Sequence, residues 1–256
     1  MKRIKIPESI KILNNNTFIE HDIKSIIIPN GVIEIGRGAL RECSSLKNIV
    51  IPNSVKNIDE YTFSYCESLT NIIISNKIPE ISNYAFLKCS SLTNIIIPKS
   101  VTKICMYAFS DCSSLKNISI PNSVTEIGVN AFSNCSSLTN IIIPKNVNKI
   151  GDSAFMQCLS LSNIIIPNTV TEIGIFLFQG CSSLTNITIP NTVTIIDNYA
   201  FSGCSSLKNV IIPISIKRIG FRAFSGCSSL TYIKIPYNFT KIDKNTFPPN
   251  CEIVKY

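Results

Sequence analysis

Apolar and polar residues recur along this chain with a period of 23, and proline marks the register. Pro29, Pro52, Pro98, Pro121, Pro144, Pro167, Pro190, Pro213 and Pro236 all fall on it, with Ser75 in the one gap. Counting proline as position 1, the unit at residues 121–143 reads PNSVTEIGVNAFSNCSSLTNIII. From unit to unit, apolar side chains recur at positions 4, 7, 11, 12, 15, 18, 21 and 23. Nine full units run over residues 29–235, a 22-residue unit from Pro7 precedes them, and a 21-residue remnant ends at Tyr256. A strict period over so many units predicts an array of stacked coils.

The spacing inside the unit predicts its elements. Positions 20 to 23, such as Asn140, Ile141, Ile142 and Ile143, are rich in β-branched residues and are followed by proline. They read as one short strand, stopped where proline removes a donor. Positions 4 and 7, such as Val124 and Ile127, predict a second, irregular extended segment. Position 8 holds Gly36, Gly128, Gly151, Gly174 or Gly220 in some units, and Asp59, Asp197, Asp243, Ser82 or Cys105 in others. Glycine and aspartate suit a positive φ, so a sharp corner is expected there. Phe, Cys and Leu at 12, 15 and 18 are three apart, which predicts a short helical or 3₁₀ turn on the outer side.

The eight apolar side chains of one unit cannot offset the entropy of ordering all its residues, so each coil must bury its flat faces against its neighbours. Eleven strands, from residues 4–6 to 233–235, at ~4.8 Å per rung would span roughly 50 Å. The expected organisation is one array over residues 1–256. Residues 1–28 form an N-terminal cap and first unit, 29–235 the nine repeats, and 236–256 a C-terminal cap. Both ends depart from the consensus: Glu20 and His21 stand where later units carry Cys, and PPNCEIVKY replaces the Ser-Ser-Leu stretch.

Alternation along the strand decides which columns face outward. If positions 21 and 23 point inward, positions 20 and 22 form the concave face. Position 20 is asparagine in eight rungs, including Asn94, Asn117, Asn140, Asn163 and Asn186, and ends at Tyr232. Position 22 runs Val50, Ile73, Ile96, Ser119, Ile142, Ile165, Thr188, Ile211, Lys234. The asparagines suit either a hydrogen-bonded ladder or a contact surface. An exposed isoleucine stripe marks an interaction surface, unless it reflects strand propensity in an isoleucine-rich composition. The candidate partner-binding residues are therefore Ile73, Ile96, Ile142, Ile165 and Ile211 with Asn94, Asn117, Asn140, Asn163 and Asn186.

Charged residues make up 16% of the chain and the net charge is +8. The lysines are spread along the sequence and form no run, so no nucleic-acid partner is expected. No apolar run approaches the ~20 residues needed to cross a bilayer. No secretory signal is visible in MKRIKIPESIKILNNNTFIE, and the strand pattern has already begun at Ile4 and Ile6, as in a piece of a longer chain. Asn15, Asn117, Asn134, Asn186 and Asn238 open glycosylation sequons, relevant only to an exported chain.

Catalytic and metal chemistry find little material. Cys43, Cys66, Cys89, Cys112, Cys135, Cys158, Cys181, Cys204 and Cys227 stand 23 apart, with Cys105 and Cys251 off that column. No close pair offers a metal site, and ladder neighbours keep their Cβ atoms too far apart for a disulfide. A column of small buried hydrophobes is expected, with Cys105 the candidate free thiol. His21 is the single histidine, which leaves little for a triad. Glu34, Glu126 and Glu172, one per repeat at position 6, suit a solvated edge better than a catalytic pair. Neither enzymatic activity nor a cofactor is expected.

The string LTNIIIP-x-x-V-x-x-I-G-x-x-A-F-x-x-C-S-S-L resembles the BspA-like class of leucine-rich repeats, over essentially the whole chain. The resemblance implies an α/β repeat solenoid: a right-handed superhelix with a concave parallel sheet and an irregular or 3₁₀ convex side. For function it implies a non-enzymatic surface adhesin or antigen that binds a host or matrix protein, located at the cell surface. An intracellular scaffold for a cytosolic partner, or self-association through the same stripe, would use the same face.

Overall fold

A computed structural model of the chain describes residues 2–5, 11–14, 23–237, 239, 242 and 245–256. The expectations for Ile6, Pro7, Asn15, Glu20, His21, Asn238 and Asp243 lie outside these residues. Each unit makes one coil, typically with a three-residue strand at positions 20 to 22 and a two-residue strand at 6 and 7. Asn140–Ile142 and Glu126–Ile127 are one such pair. Coils stack in parallel and in register: Ile118 opposes Ile141, which opposes Ile164. The longer strands form one ladder from Lys2–Lys5 to Asn71–Ile73 and a second from Asn94–Ile96 to Asn163–Ile165. A third joins Asn209–Ile211, Tyr232–Ile235 and Glu252–Lys255, with single bridges at Thr188 and Asn186 spanning the rung between the last two ladders. The remnant after Pro236 thus supplies a strand of its own.

The expected helical component is corrected: among the described residues there is neither α-helix nor 3₁₀-helix. The outer side is a succession of turns, for example Ala108 N–H to the Cys105 carbonyl at 3.3 Å and Cys112 N–H to the Phe109 carbonyl at 3.2 Å. Positions 10 and 14 explain why the turns do not join. Tyr107 and Asp111 hold φ of 53° and 60°, and the same two positions are left-handed in other rungs. A left-handed residue every four positions ends a right-handed helix before its first full bond closes. The freed amides turn to the next coil instead. Tyr107, Phe109 and Asp111 donate to the carbonyls of Val129, Ala131 and Ser133 at 2.9, 2.8 and 2.8 Å.

Position 8 is corrected as well. The positive-φ glycines are Gly38, Gly180, Gly203 and Gly226, at positions 10 and 14; Gly36, Gly128, Gly151, Gly174 and Gly220 are not among them. Glycine at position 8 answers to closeness. A Cβ on Gly128 would lie 2.6 Å from the Cys105 carbonyl carbon and 2.7 Å from the Met106 nitrogen. Gly128→Asn and Gly128→Val should therefore both destabilise, by about 1–3 kcal/mol, because the backbone of the preceding coil must move. Gly203 has φ of 76° and no atom nearer than 3.6 Å to such a Cβ, so Gly203→Asn should be mild. Urea unfolding of the three variants checks this; a mild Gly128→Asn would contradict it.

The core is a set of columns. Phe63, Phe86, Phe109, Phe132, Phe155, Phe178, Phe201 and Phe224 are buried and stacked. Ring centroids lie 5.4 Å apart for Phe109–Phe132 and 5.7 Å for Phe132–Phe155. Phe247 ends the column 5.5 Å from Phe224. Beside it, each columnar thiol from Cys66 to Cys227 donates to the position-12 carbonyl of the coil before. Cys135 reaches Phe109 at 3.1 Å. That carbonyl already accepts the Cys112 amide, so a small side chain with a weak donor fits position 15 better than an alkyl group.

Candidate binding face

Positions 20 and 22 point outward and 21 and 23 inward, as the alternation predicts. Ile96, Ile142 and Ile165 are 83%, 72% and 72% exposed, whereas Ile95, Ile141 and Ile164 are buried. Val50, Ile73 and Ile211 extend the stripe at both ends, and Ser119 and Thr188 interrupt it. In-register pairing sets Ile142 directly beside Ile165. The structure thus brings all ten candidate residues to one exposed face of the stack.

The asparagine column is a ladder at one step only. Among the described residues, Asn71 donates its amide to Asn48 at 2.9 Å, but Asn94 and Asn186 turn to their own neighbours Thr93 and Thr185 at 3.5 and 3.2 Å. Asn117, Asn140 and Asn163 make no side-chain hydrogen bond to another described residue, so their donors and acceptors face solvent. Rung-to-rung hydroxyl bonds are carried instead by neighbouring columns, such as Thr139 Oγ1 to the Lys116 carbonyl at 3.3 Å and Ser136 Oγ to the Ser113 carbonyl at 3.4 Å. A depression of about 690 Å³ opens at the edge of the face, lined by Ile96, Pro98, Lys99, Ser119 and Pro121 among others. The Ser119 interruption sits within it.

The other candidate chemistries separate in space. Glu126 pairs across the short-strand ladder with Lys103 and Lys149, at 3.4 and 2.9 Å. Hydrogen bonding from Lys149, then from Lys103, holds its carboxyl below the usual range. Glu172 stands beside Ile195 and Glu34 beside Asn57, so no two of the three glutamates are neighbours. Among the described residues no group of His, Cys, Asp or Glu could hold a metal ion.

The thiols are kept protonated. Burial pushes Cys43 up to about 11 and Cys181 and Cys227 to about 12. Off-column Cys105 also rises to about 12, through burial and then the negative charge of Glu80, the opposite of what an activated thiol needs. All eleven cysteines are free. A disulfide reagent at pH 8 should therefore modify at most Cys105 and Cys251 quickly in the native protein, and all the thiols in guanidine. Fast reaction of most of them without denaturant would contradict the burial. Because the folded values lie above the unfolded ones, stability from this source is full below about pH 9 and declines as pH rises beyond it.

One turn-side feature escaped the sequence reading. Tyr61, Tyr84 and Tyr107, all at position 10, stack at 4.5 and 5.0 Å, with the Arg37 guanidinium 5.2 Å from the Tyr61 ring. Aligning position 10 down the repeats would have shown the column.

A stack of parallel coils with a continuous core and a side-chain pattern repeated along one exposed sheet defines a repeat solenoid of the leucine-rich type. The chain belongs to the BspA-type leucine-rich repeat family: the model of the BspA type leucine rich repeat region (6 copies) matches residues 1–113, 79–208 and 148–256. Among solved structures it is similar to a leucine-rich repeat protein from Bacteroides ovatus, at 25% identity and a TM-score of 0.65, over 99% of this chain and 83% of that one. A leucine rich cell surface protein from Faecalibacterium prausnitzii is 28% identical with a TM-score of 0.61, over 99% and 87%. The pneumococcal vaccine antigen PcpA shares the fold at 22% identity and a TM-score of 0.61, over 99% of this chain and 65% of that one. No curated protein sequence matches the chain. Among the described residues no helix is long and apolar enough to cross a membrane.

Proposed function

We propose that this chain is a non-enzymatic binding module of a cell-surface adhesin or antigen, and that it grips a protein ligand through its long-strand face. The observation that carries the reading is the row of exposed isoleucines, Ile73, Ile96, Ile142, Ile165 and Ile211, bordered by Asn94, Asn117, Asn140, Asn163 and Asn186. An exposed apolar stripe, here interrupted only at Ser119 and Thr188, marks an association surface, and the outward amides of Asn117, Asn140 and Asn163 beside it can bond a polypeptide backbone. The surface location draws support from the family and from the Faecalibacterium relative, described as a cell surface protein. In this reading the face is the concave side of a right-handed superhelix. The test is binding of the purified chain to a panel of extracellular-matrix proteins, with Ile142→Ser plus Ile165→Ser as the stripe variant. Binding by the parent and its loss in the variant support the proposal; equal binding by both contradicts it.

A further inference from the structure

The 23-residue coil gathers lysines that lie far apart in sequence. Position 19 precedes each long strand and holds Lys24, Lys47, Lys116 and Lys208; positions 2 and 3 follow it and hold Lys99, Lys145 and Lys77. Lys234 takes the stripe position itself in the rung that ends the repeats. All eight are exposed, and among the described residues none forms an ion pair. Over the span from Ile23 to Ile235, positions 17 to 23 and 1 to 3 contain no aspartate or glutamate at all. The carboxylates of that span stand at positions 6, 8, 9, 14 and 16. There several meet the remaining cations: Glu126 with Lys103 and Lys149, Asp197 with Arg218 at 2.8 Å, Glu60 with Arg37 at 3.4 Å. The long-strand face is thus an apolar stripe with an amide column, edged on both sides by uncompensated positive charge.

We infer that the ligand of this face is an acidic polypeptide segment with interspersed aliphatic side chains, lying along the stack; the inference rests on the binding face proposed above. Each part of the face selects part of that chemistry. Isoleucines take aliphatic groups, asparagine amides take backbone carbonyls and amides, and the two lysine rows take carboxylates on either side. Like charges on a basic segment would be rejected, so the borders act in selection and in rate of encounter as well as in affinity. A nucleic acid would meet cations but no stacking platform, since Tyr232 is the one aromatic in the two outward columns between Ile23 and Ile235.

The experiment uses a 24-residue peptide of Glu-Leu-Glu-Ser repeats, a matched Gln-Leu-Gln-Ser peptide, and a single-stranded oligonucleotide of similar charge. Each is titrated into the intact chain at 50 and 300 mM salt. The acidic peptide should bind at least tenfold tighter than the glutamine peptide and than the oligonucleotide, and should weaken several-fold at the higher salt. Removing four border lysines by Lys47→Thr, Lys99→Asn, Lys116→Thr and Lys145→Asn uses residues these columns already hold, and should cost at least tenfold. Removing four cations elsewhere, by Lys11→Thr, Lys56→Thr, Lys88→Asn and Lys217→Thr, should change binding less than twofold. Equal losses in the two sets would overturn the inference, as would a tighter oligonucleotide or no binding of the acidic peptide at millimolar concentration. Preference for the glutamine peptide, lost in the Ile142→Ser plus Ile165→Ser variant, would sink the acidic ligand while leaving the binding face standing.

Discussion

Replacing Phe132 with alanine should destabilise the chain by about 3–5 kcal/mol, the cost of emptying a buried aromatic site. Phe132 has no exposed surface, and its ring is packed between Phe109 at 5.4 Å and Phe155 at 5.7 Å. Neither neighbouring ring can swing into the gap, since Phe109 and Phe155 are themselves held by Phe86 and Phe178. The position matters as much as the volume. In the middle of the stack each coil packs on the two beside it, so a lesion there weakens the junction on which both halves depend. Phe247→Ala is the informative comparison: that ring packs against Phe224 alone in the column, at the end of the stack, and its loss should cost less. Urea unfolding followed by circular dichroism should show the Phe132 variant with a markedly lower midpoint, or with two separate transitions. A shift below about 1 kcal/mol would show that the phenylalanine column is not what joins the coils.

The second large effect is expected on binding rather than on folding. Ile142 and Ile165 are 72% exposed and side by side, so Ile142→Ser with Ile165→Ser removes little that the folded chain itself buries. Ser119 already occupies the same column between Ile96 and Ile142 without breaking the ladder. The folded state should therefore lose about 1 kcal/mol or less per site, mostly β-propensity. A ligand that covers both side chains loses ~1.5–3 kcal/mol for each, which at 1.4 kcal/mol per decade is at least about a 100-fold loss of affinity. Serines at Glu126 and Glu172, on the short-strand side, should leave affinity within twofold. A folded stripe variant that binds as the parent does would place the contact elsewhere.

How much of this was legible beforehand depends on which interaction wrote the signal. The period, the inward and outward alternation and the cysteine column follow from burial, and burial leaves a mark in every repeat. The exposure of Ile142 beside buried Ile141 could be read from a single unit. The corner at position 8 could not, because glycine marks both positive φ and close approach. The folded stack alone reveals that Gly128 meets the Cys105 backbone while Tyr107 and Asp111 take the left-handed conformation. Phe, Cys and Leu spaced by three suggested a helical turn for the same reason: side-chain spacing carries no sign of φ at the residues between. The asparagine ladder forms only where Asn71 reaches Asn48; Asn94 and Asn186 bond their own Thr93 and Thr185, and an outward amide leaves no sign in the sequence of which partner it takes. The lysine borders were hidden by reading along the chain, where Lys47, Lys99, Lys116 and Lys145 look scattered; they align only once the coil is closed.

The central claim is that the outward isoleucines of the long-strand sheet are the contact surface, and isoleucine methyl cross-saturation tests it most directly. With the chain carrying labelled isoleucine methyls and a bound matrix protein irradiated, the methyls of Ile96, Ile142 and Ile165 should lose intensity. Those of buried Ile141 and Ile143, and of Ile33 and Ile175 outside the long-strand sheet, should keep theirs. Loss at Ile33 and Ile175 with Ile142 and Ile165 untouched would contradict the account.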